Sequence, residues 1–189
     1  MMIAAGPRSA WPLLLGALIG WAASVTLLVE KYKSLTEVGY KPMCTIDATL
    51  SCTTVMASKS ASLFGFPNPI IGVVGFSVFV TIGILLVVGI SLPRWFFAGM
   101  WLGLLVGIAA IGWLVWDATF EIHALCPWCM VVWAVTPAMF AIVTGLLFGR
   151  SRGLLQILVE WRWTLIAIYY AIIILTVYLK FQDYWNAKF

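Results

Sequence analysis

The sequence predicts an all-α integral membrane protein with five transmembrane helices, and three observations predict it. Apolar residues make up 63% of the 189 positions and charged residues only 10%, against about 45–50% and about 25% in soluble domains. Five stretches are long and apolar enough to cross a bilayer, which takes about 20 helical residues. Aromatic residues gather at the ends of those stretches, as they do at membrane–water interfaces. Inside lipid every backbone polar group must be paired within its own segment, so the spans are helices rather than strands of an open sheet.

The spans run approximately over Trp11–Val29, Pro69–Ile90, Trp95–Trp116, Ala124–Phe148 and Trp163–Leu179. Arg8 and the small residues near Ala22–Ser24 give the first span some likeness to a cleaved signal peptide. Its apolar stretch of about 19 residues is longer than the usual 7–15 of a signal segment, which favours a retained span. A loop over 30–68 follows. Within it Val55, Met56, Leu63, Phe64 and Phe66 are separated by Ser, Thr, Lys and Ala, which predicts a short lid on the membrane surface. Pro67-Asn68-Pro69 then redirects the chain inward. Pro137 predicts a kink in the fourth span, because it removes a backbone donor and crowds the preceding turn. The interfacial aromatics are Trp11, Trp95, Trp101, Trp116, Trp161, Trp163, Tyr184 and Trp185. The first ten and last ten residues read as simple tails, and no repeat or low-complexity segment is visible.

Charge sets the orientation and excludes some functions. Arg8, Arg94, Arg150, Arg152 and Arg162 fall on the side shared by the N-terminus and the 2–3 and 4–5 loops. The lysines fall on the other side, where acidic residues balance them. The positive-inside rule then predicts a cytoplasmic N-terminus and an external 30–68 loop. All four cysteines thereby reach the oxidising face, where disulfides form and persist. The net charge of +4 is scattered rather than gathered into a patch, which argues against nucleic-acid binding. The spans carry almost no ionisable residues away from their ends, which argues against a small transporter or channel.

The chemistry is concentrated in the cysteines. In Cys126-Pro127-Trp128-Cys129, Pro127 suits the first helical position and leaves Cys126 at the helix N-terminus. The partial positive charge there favours the thiolate, the form that attacks or leaves in disulfide exchange. Cys44 and Cys52 form a second pair in the external loop. Each pair, taken alone, also fits a bland reading: a structural disulfide in the loop, or buried apolar cysteines in a membrane helix. Together, on one face of one membrane domain, they form a possible two-electron relay through a mixed disulfide. His123, before Cys126, could shuttle a proton or join a metal site, but a lone interfacial histidine is the plainer reading, and no metal is expected. Asp47, between the loop cysteines, reads as a turn residue.

Cys44-x7-Cys52, Ser58, Pro67-Asn68-Pro69 and Cys126-Pro127-Trp128-Cys129, in that order, resemble the signature of the vitamin K epoxide reductase family over about residues 10–145. Phe64-Gly65-Phe66-Pro67-Asn68-Pro69 and the Cys-Pro-Trp-Cys-Met-Val-Val-Trp run resemble actinobacterial homologues in particular. The resemblance implies a four-helix catalytic core enclosing a quinone over residues 1–149, with a fifth helix and short tail over 150–189. It implies a bacterial cytoplasmic-membrane enzyme that reoxidises a DsbA-like thioredoxin-fold protein. Some relatives carry such a domain fused after the fifth helix. This chain ends at Phe189, so the expected partner is separate. The quinone is menaquinone or ubiquinone, the actinobacterial likeness favouring menaquinone.

Carried over by residue, the resemblance gives Cys44 the exchange with the partner and Cys52 the attack on Cys126. Cys129 passes electrons to the quinone. Ser58 and Asn68 match polar positions near its head group. Trp133 stands where the family has a tyrosine. A ring contact to the quinone survives that change and a hydroxyl hydrogen bond does not, which turns the expectation from epoxide reduction toward disulfide formation.

Overall fold

The protein is described by a computed structural model over residues 2–63, 65–149 and 153–188; Phe64 of the expected lid, and Arg150 and Arg152, lie outside the described residues. In chain order the elements are β1 (Met2–Ile3), α1 (Pro7–Thr36), α2 (Cys52–Ala57), a 3₁₀ turn (Lys59–Ser62), α3 (Pro69–Val87), β2 (Leu92–Pro93) and α4 (Arg94–Asp117). A π-turn (Ala118–Ile122), α5 (Pro127–Phe148), α6 (Leu154–Lys180) and α7 (Gln182–Lys188) follow. Helices α1, α3, α4 with its π-turn, α5 and α6 are each long and apolar enough to span a bilayer. The protein is an all-α, multi-pass membrane protein.

Proline and glycine set the helix limits. Pro7, Pro69 and Pro127 occupy the first turns of α1, α3 and α5, where a missing N–H costs nothing and the fixed φ is already helical. Helix α3 ends in a Schellman turn: Gly89 adopts φ 90, and Ile90 N–H donates to the Leu85 carbonyl at 2.9 Å. Pro137 lies buried inside α5, which is helical on both sides of it.

Helix α1 packs on α3 and α5, and α5 also carries α4 and α6. Small residues let α1 and α3 approach closely. A Cβ on Gly83 would fall 3.0 Å from the Leu14 Cα, and one on Gly72 would fall 2.4 Å from the Ser24 hydroxyl. Leu13, Ala17, Phe76, Leu86, Phe97 and Met139 fill the main core. Indole N–H groups cross-link it: Trp21 donates to Ser77 Oγ at 2.9 Å and Trp101 to Thr144 Oγ1 at 3.0 Å. Helix α6 lies outside this core. Only 6% of its apolar stretch is buried, against 44% for α5, and the Tyr170 hydroxyl joins it to the Ala134 carbonyl.

Several expectations are corrected. Helix α1 runs past Val29 to Thr36, because no glycine or proline interrupts it before Gly39 and Glu, Lys and Leu favour helix. Glu30 and Lys31 are therefore helical rather than the start of a loop. The chain start is no simple tail, since β1 pairs antiparallel with β2, Ile3 opposite Leu92. Nor is the chain end, where α7 packs Tyr184 and Trp185 beside Val177 and Phe181. The lid is also different: Met56 is buried in a cluster with three cysteines, whereas Leu63 and Phe66 remain exposed. The β1–β2 ladder draws the chain start and the α3–α4 connection to one end of the bundle, with Arg8 and Arg94 close by in sequence. The cysteines lie at the opposite end.

Candidate thiol relay site

The site begins with a single point of backbone pairing. Leu50 and Leu125 form a parallel bridge: Leu125 N–H donates to the Thr49 carbonyl at 2.7 Å and Ser51 N–H to the Leu125 carbonyl at 3.0 Å. This register places the start of α2 beside the start of α5. Ser51 caps α2 by accepting from Thr54 N–H at 3.2 Å, so Cys52 is its first residue. Cys126 is the N-cap residue of α5, extended at φ −110 and ψ 117, with Pro127 next.

Side chains then hold the loop. Asp47 Oδ1 accepts from the N–H groups of Thr49 at 3.0 Å and Leu50 at 2.8 Å, the turn role expected of it. Thr45 and Thr53, the residues after each loop cysteine, are joined through their hydroxyls at 2.9 Å. Glu30, only 4% exposed, accepts from Tyr40 Oη at 3.0 Å and Met43 N–H at 3.2 Å. Lys31 Nζ donates to the Met56 carbonyl at 2.7 Å. The unexpected last turns of α1 thus clamp the chain just before Cys44 and at the end of α2.

The sulfurs meet inside this frame. Cys44 and Cys52 are joined in a disulfide, and Cys126 and Cys129 are free thiols. Cys52 Sγ lies 3.1 Å from Cys126 Sγ, about 1 Å longer than a covalent S–S bond. The Cys44, Cys52 and Cys126 sulfurs lie within 4.8 Å of one another. With two of the three bonded together this is an exchange geometry, because metal ligation needs thiolates. The Cys129 thiol beside Cys126, aided by the N–H groups of Cys129 and Trp128, holds the Cys126 thiol below its ordinary value of 9.0, against an upward push from burial. The start of α5 therefore favours a thiolate beside the loop disulfide.

Cys129 touches two clusters, the cysteine cluster and one made by Ile111, Val115, Ala118, Leu125 and Trp133. Trp133, 6% exposed, is buried in the second of these, on the same face of α5 one turn from Cys129. Ser58 and Asn68 meet elsewhere, around Ser60. The Ser58 hydroxyl donates to the Val55 carbonyl at 2.8 Å and lies 3.0 Å from Ser60 Oγ. Asn68 Nδ2 donates to the Ser60 carbonyl at 2.7 Å, and its Oδ1 accepts from Leu63 N–H at 3.1 Å. Ser60 Oγ donates to Asp117 Oδ2. Ser58, Ser60, Trp113, Asp117 and Glu121 line a cleft of ≈ 430 Å³ there. His123 is exposed in a left-handed turn at φ 57, its ring beside the Glu121 carbonyl. It precedes α5 rather than lying on it.

Sequence reasoning missed Glu30, Asp117 and Tyr184, whose hydroxyl donates to Asp47 Oδ2 at 2.7 Å. Asp117 had a signal, an ionisable residue closing an apolar span. Tyr184 looked like any interfacial tyrosine.

Among curated proteins, none matches the chain significantly. The sequence model of the vitamin K epoxide reductase family matches residues 11–144, from within α1 almost to the end of α5 and across all four cysteines. A family match over most of the chain, with its four cysteines gathered at one end of the helices, makes this protein a membrane thiol–disulfide oxidoreductase that belongs to the vitamin K epoxide reductase family.

Proposed function

We propose that the protein reoxidises a separate, DsbA-like thioredoxin-fold oxidase on the extracytoplasmic face of a bacterial cytoplasmic membrane and passes the electrons to a membrane quinone. The observation that carries this reading is the 3.1 Å approach of Cys52 to Cys126, which joins an outer pair to an inner one. A chain with two structural staples has no use for such a contact.

In the cycle, a partner thiolate attacks Cys44, forming a mixed disulfide and releasing Cys52. The partner's second thiol resolves it, so the partner becomes oxidised and Cys44 and Cys52 become thiols. Cys52 thiolate attacks Cys126 of the inner disulfide and Cys129 leaves. Cys44 then attacks Cys52, re-forming the outer disulfide and releasing Cys126. The depressed Cys126 thiol is a good leaving group for that last step. Outer pair closed and inner pair reduced is the state with both electrons moved inward. The quinone takes these two electrons and two protons and restores the inner disulfide.

Residues 1–149 form the catalytic core on this reading, and 150–189 an appended helix and tail. Trp133, buried one turn from Cys129, is the aromatic side chain that this reading sets nearest the quinone ring. Asn68 and Ser58 act by shaping the cleft wall, since their polar groups are engaged in its turn. Asp117, joined to Ser60, adds a carboxylate to the same cleft wall. Menaquinone is the acceptor favoured by the actinobacterial likeness. Met43 and Ile46, both exposed beside Cys44, give an apolar patch for the partner to rest on. Cys44 itself is 6% exposed, so the 43–46 segment lifts when the partner engages.

The test is anaerobic quinone reduction by the purified protein with a reduced thioredoxin-fold donor, comparing wild type, Cys44→Ala and Cys129→Ala. Turnover by wild type and its loss in both variants supports the relay. A Cys44 variant that still oxidises dithiothreitol places Cys44 on the partner side. A folded wild type that reduces no quinone overturns the proposal.

A further inference from the structure

At the end of the bundle away from the cysteines, a cavity of ≈ 470 Å³ opens between the start of α1, the end of α5 and the first half of α6. Arg8, Ser9 and Arg162 line it together with Pro12, Leu146 and Trp163. Among the described residues, no acidic side chain lines it and neither arginine has an ion-pair partner. Glu160, the acid nearest Arg162 in sequence, accepts instead from Gln156 Nε2 at 2.8 Å.

Arg162 is seated rather than waving in solvent. Its Nη1 donates to the Val159 carbonyl, and a Cβ on Gly145 would fall 3.2 Å from its Nε. The guanidinium thus rests on a bare patch of α5 and has further N–H groups to offer. Arg8 is exposed on the first turn of α1. The walls combine the two arginines with apolar Pro12, Ile142, Leu146 and Val159, and Trp163 is an aromatic suited to the membrane interface. Arginine forks suit planar or tetrahedral oxyanions, and basic pockets between membrane helices take anionic lipid head groups.

We propose that this cavity binds the phosphodiester head group of an anionic phospholipid, which ties the outlying α6 to α1 across the end of α5. A choline or ethanolamine head group would bring a cation beside two arginines, so net negative charge is selected. The site is independent of the relay.

The experiment is native mass spectrometry of the full chain in non-ionic detergent, titrated with phosphatidylglycerol, phosphatidylcholine or inorganic phosphate. Phosphatidylglycerol is expected to be retained preferentially, and Arg8→Gln and Arg162→Gln each to weaken it by about five-fold. Arg94→Gln, at the same end but outside the cavity, is expected to leave it unchanged. Equal retention of the two lipids overturns the proposal. So does an Arg94→Gln loss as large as that of the cavity variants, which would mean diffuse surface charge. Inorganic phosphate displacing the lipid at equal concentration would mean a free-anion site instead. Should Arg162→Gln fail to fold, Arg8→Gln alone carries the same readout, because its side chain is exposed.

Discussion

Cys44 sits in a loop and Cys52 at the start of α2 that follows it, in a segment whose shape is imposed by side chains reaching in from α1, α2 and α7. Cys126 is the N-cap of α5 and Cys129 lies in its first turn, so the start of one helix fixes their spacing. The outer pair is therefore held by replaceable hydrogen bonds from Glu30, Lys31, Asp47 and Tyr184. The inner pair is held by a proline at the first helical position. The difference teaches that the two pairs are fixed by different means: the outer pair depends on side chains from distant elements, and the inner pair on the start of a single helix. The bridge between Leu50 and Leu125 is the backbone link between the two pairs.

The comparison breaks most completely at the contact itself. Cys126→Ser leaves the outer disulfide in place and removes its acceptor. Partner-driven quinone reduction is expected to fall on the order of 10³-fold or more, since residues of one relay act as a unit. Anaerobic stopped-flow with the reduced partner reads this, and near-wild-type turnover would mean that electrons bypass Cys126.

Loosening the loop has a smaller effect. Glu30→Ala deprives Tyr40 and Met43 of a buried carboxylate acceptor, a loss of about 1.5–3 kcal/mol. Amide exchange across residues 40–51 is expected to speed up, while the first turn of α5 keeps its protection. Equal loosening of both segments would erase the distinction between the pairs. Tyr184→Phe is expected to cost less, about 1 kcal/mol, and to quicken reduction of the Cys44–Cys52 disulfide by dithiothreitol.

The inner pair is sharpened by pH. With the outer disulfide closed, Cys126 is expected to form its thiolate at lower pH than an ordinary thiol, because the Cys129 thiol and two N–H groups favour the charged form. Cys129→Ala removes the first of these and raises the midpoint. A thiolate-absorbance titration against Cys126→Ser reads the shift, and an unmoved midpoint would assign the depression to the helix start alone.

Much of the fold was legible from composition and periodicity, because lipid demands long apolar helices with their backbones paired internally. The prolines at 7, 69 and 127 marked helix starts through their fixed φ. The ends of α1 and the packing of α7 were not legible. A helix that leaves the membrane loses its apolar pattern, and Glu30 looks the same in a helix as in a loop. The expected site divided in a similar way. Cys126 and Cys129 were readable from their short spacing, whereas the local hydrogen bonds of Ser58 and Asn68 within the 55–68 turn, with Ser58 at the cleft wall, were not.

The sequence by itself determined the membrane class, five spans, the family likeness and the two cysteine pairs, because each follows from local composition or short spacing. Only the tertiary structure decided that the Cys52 and Cys126 sulfurs stand 3.1 Å apart while Cys44–Cys52 is closed, that α1 and α7 clamp the loop, and that Arg8 and Arg162 share a cavity. Those facts join residues far apart in the chain. Their distances depend on how helices pack and register against one another, which no local pattern encodes.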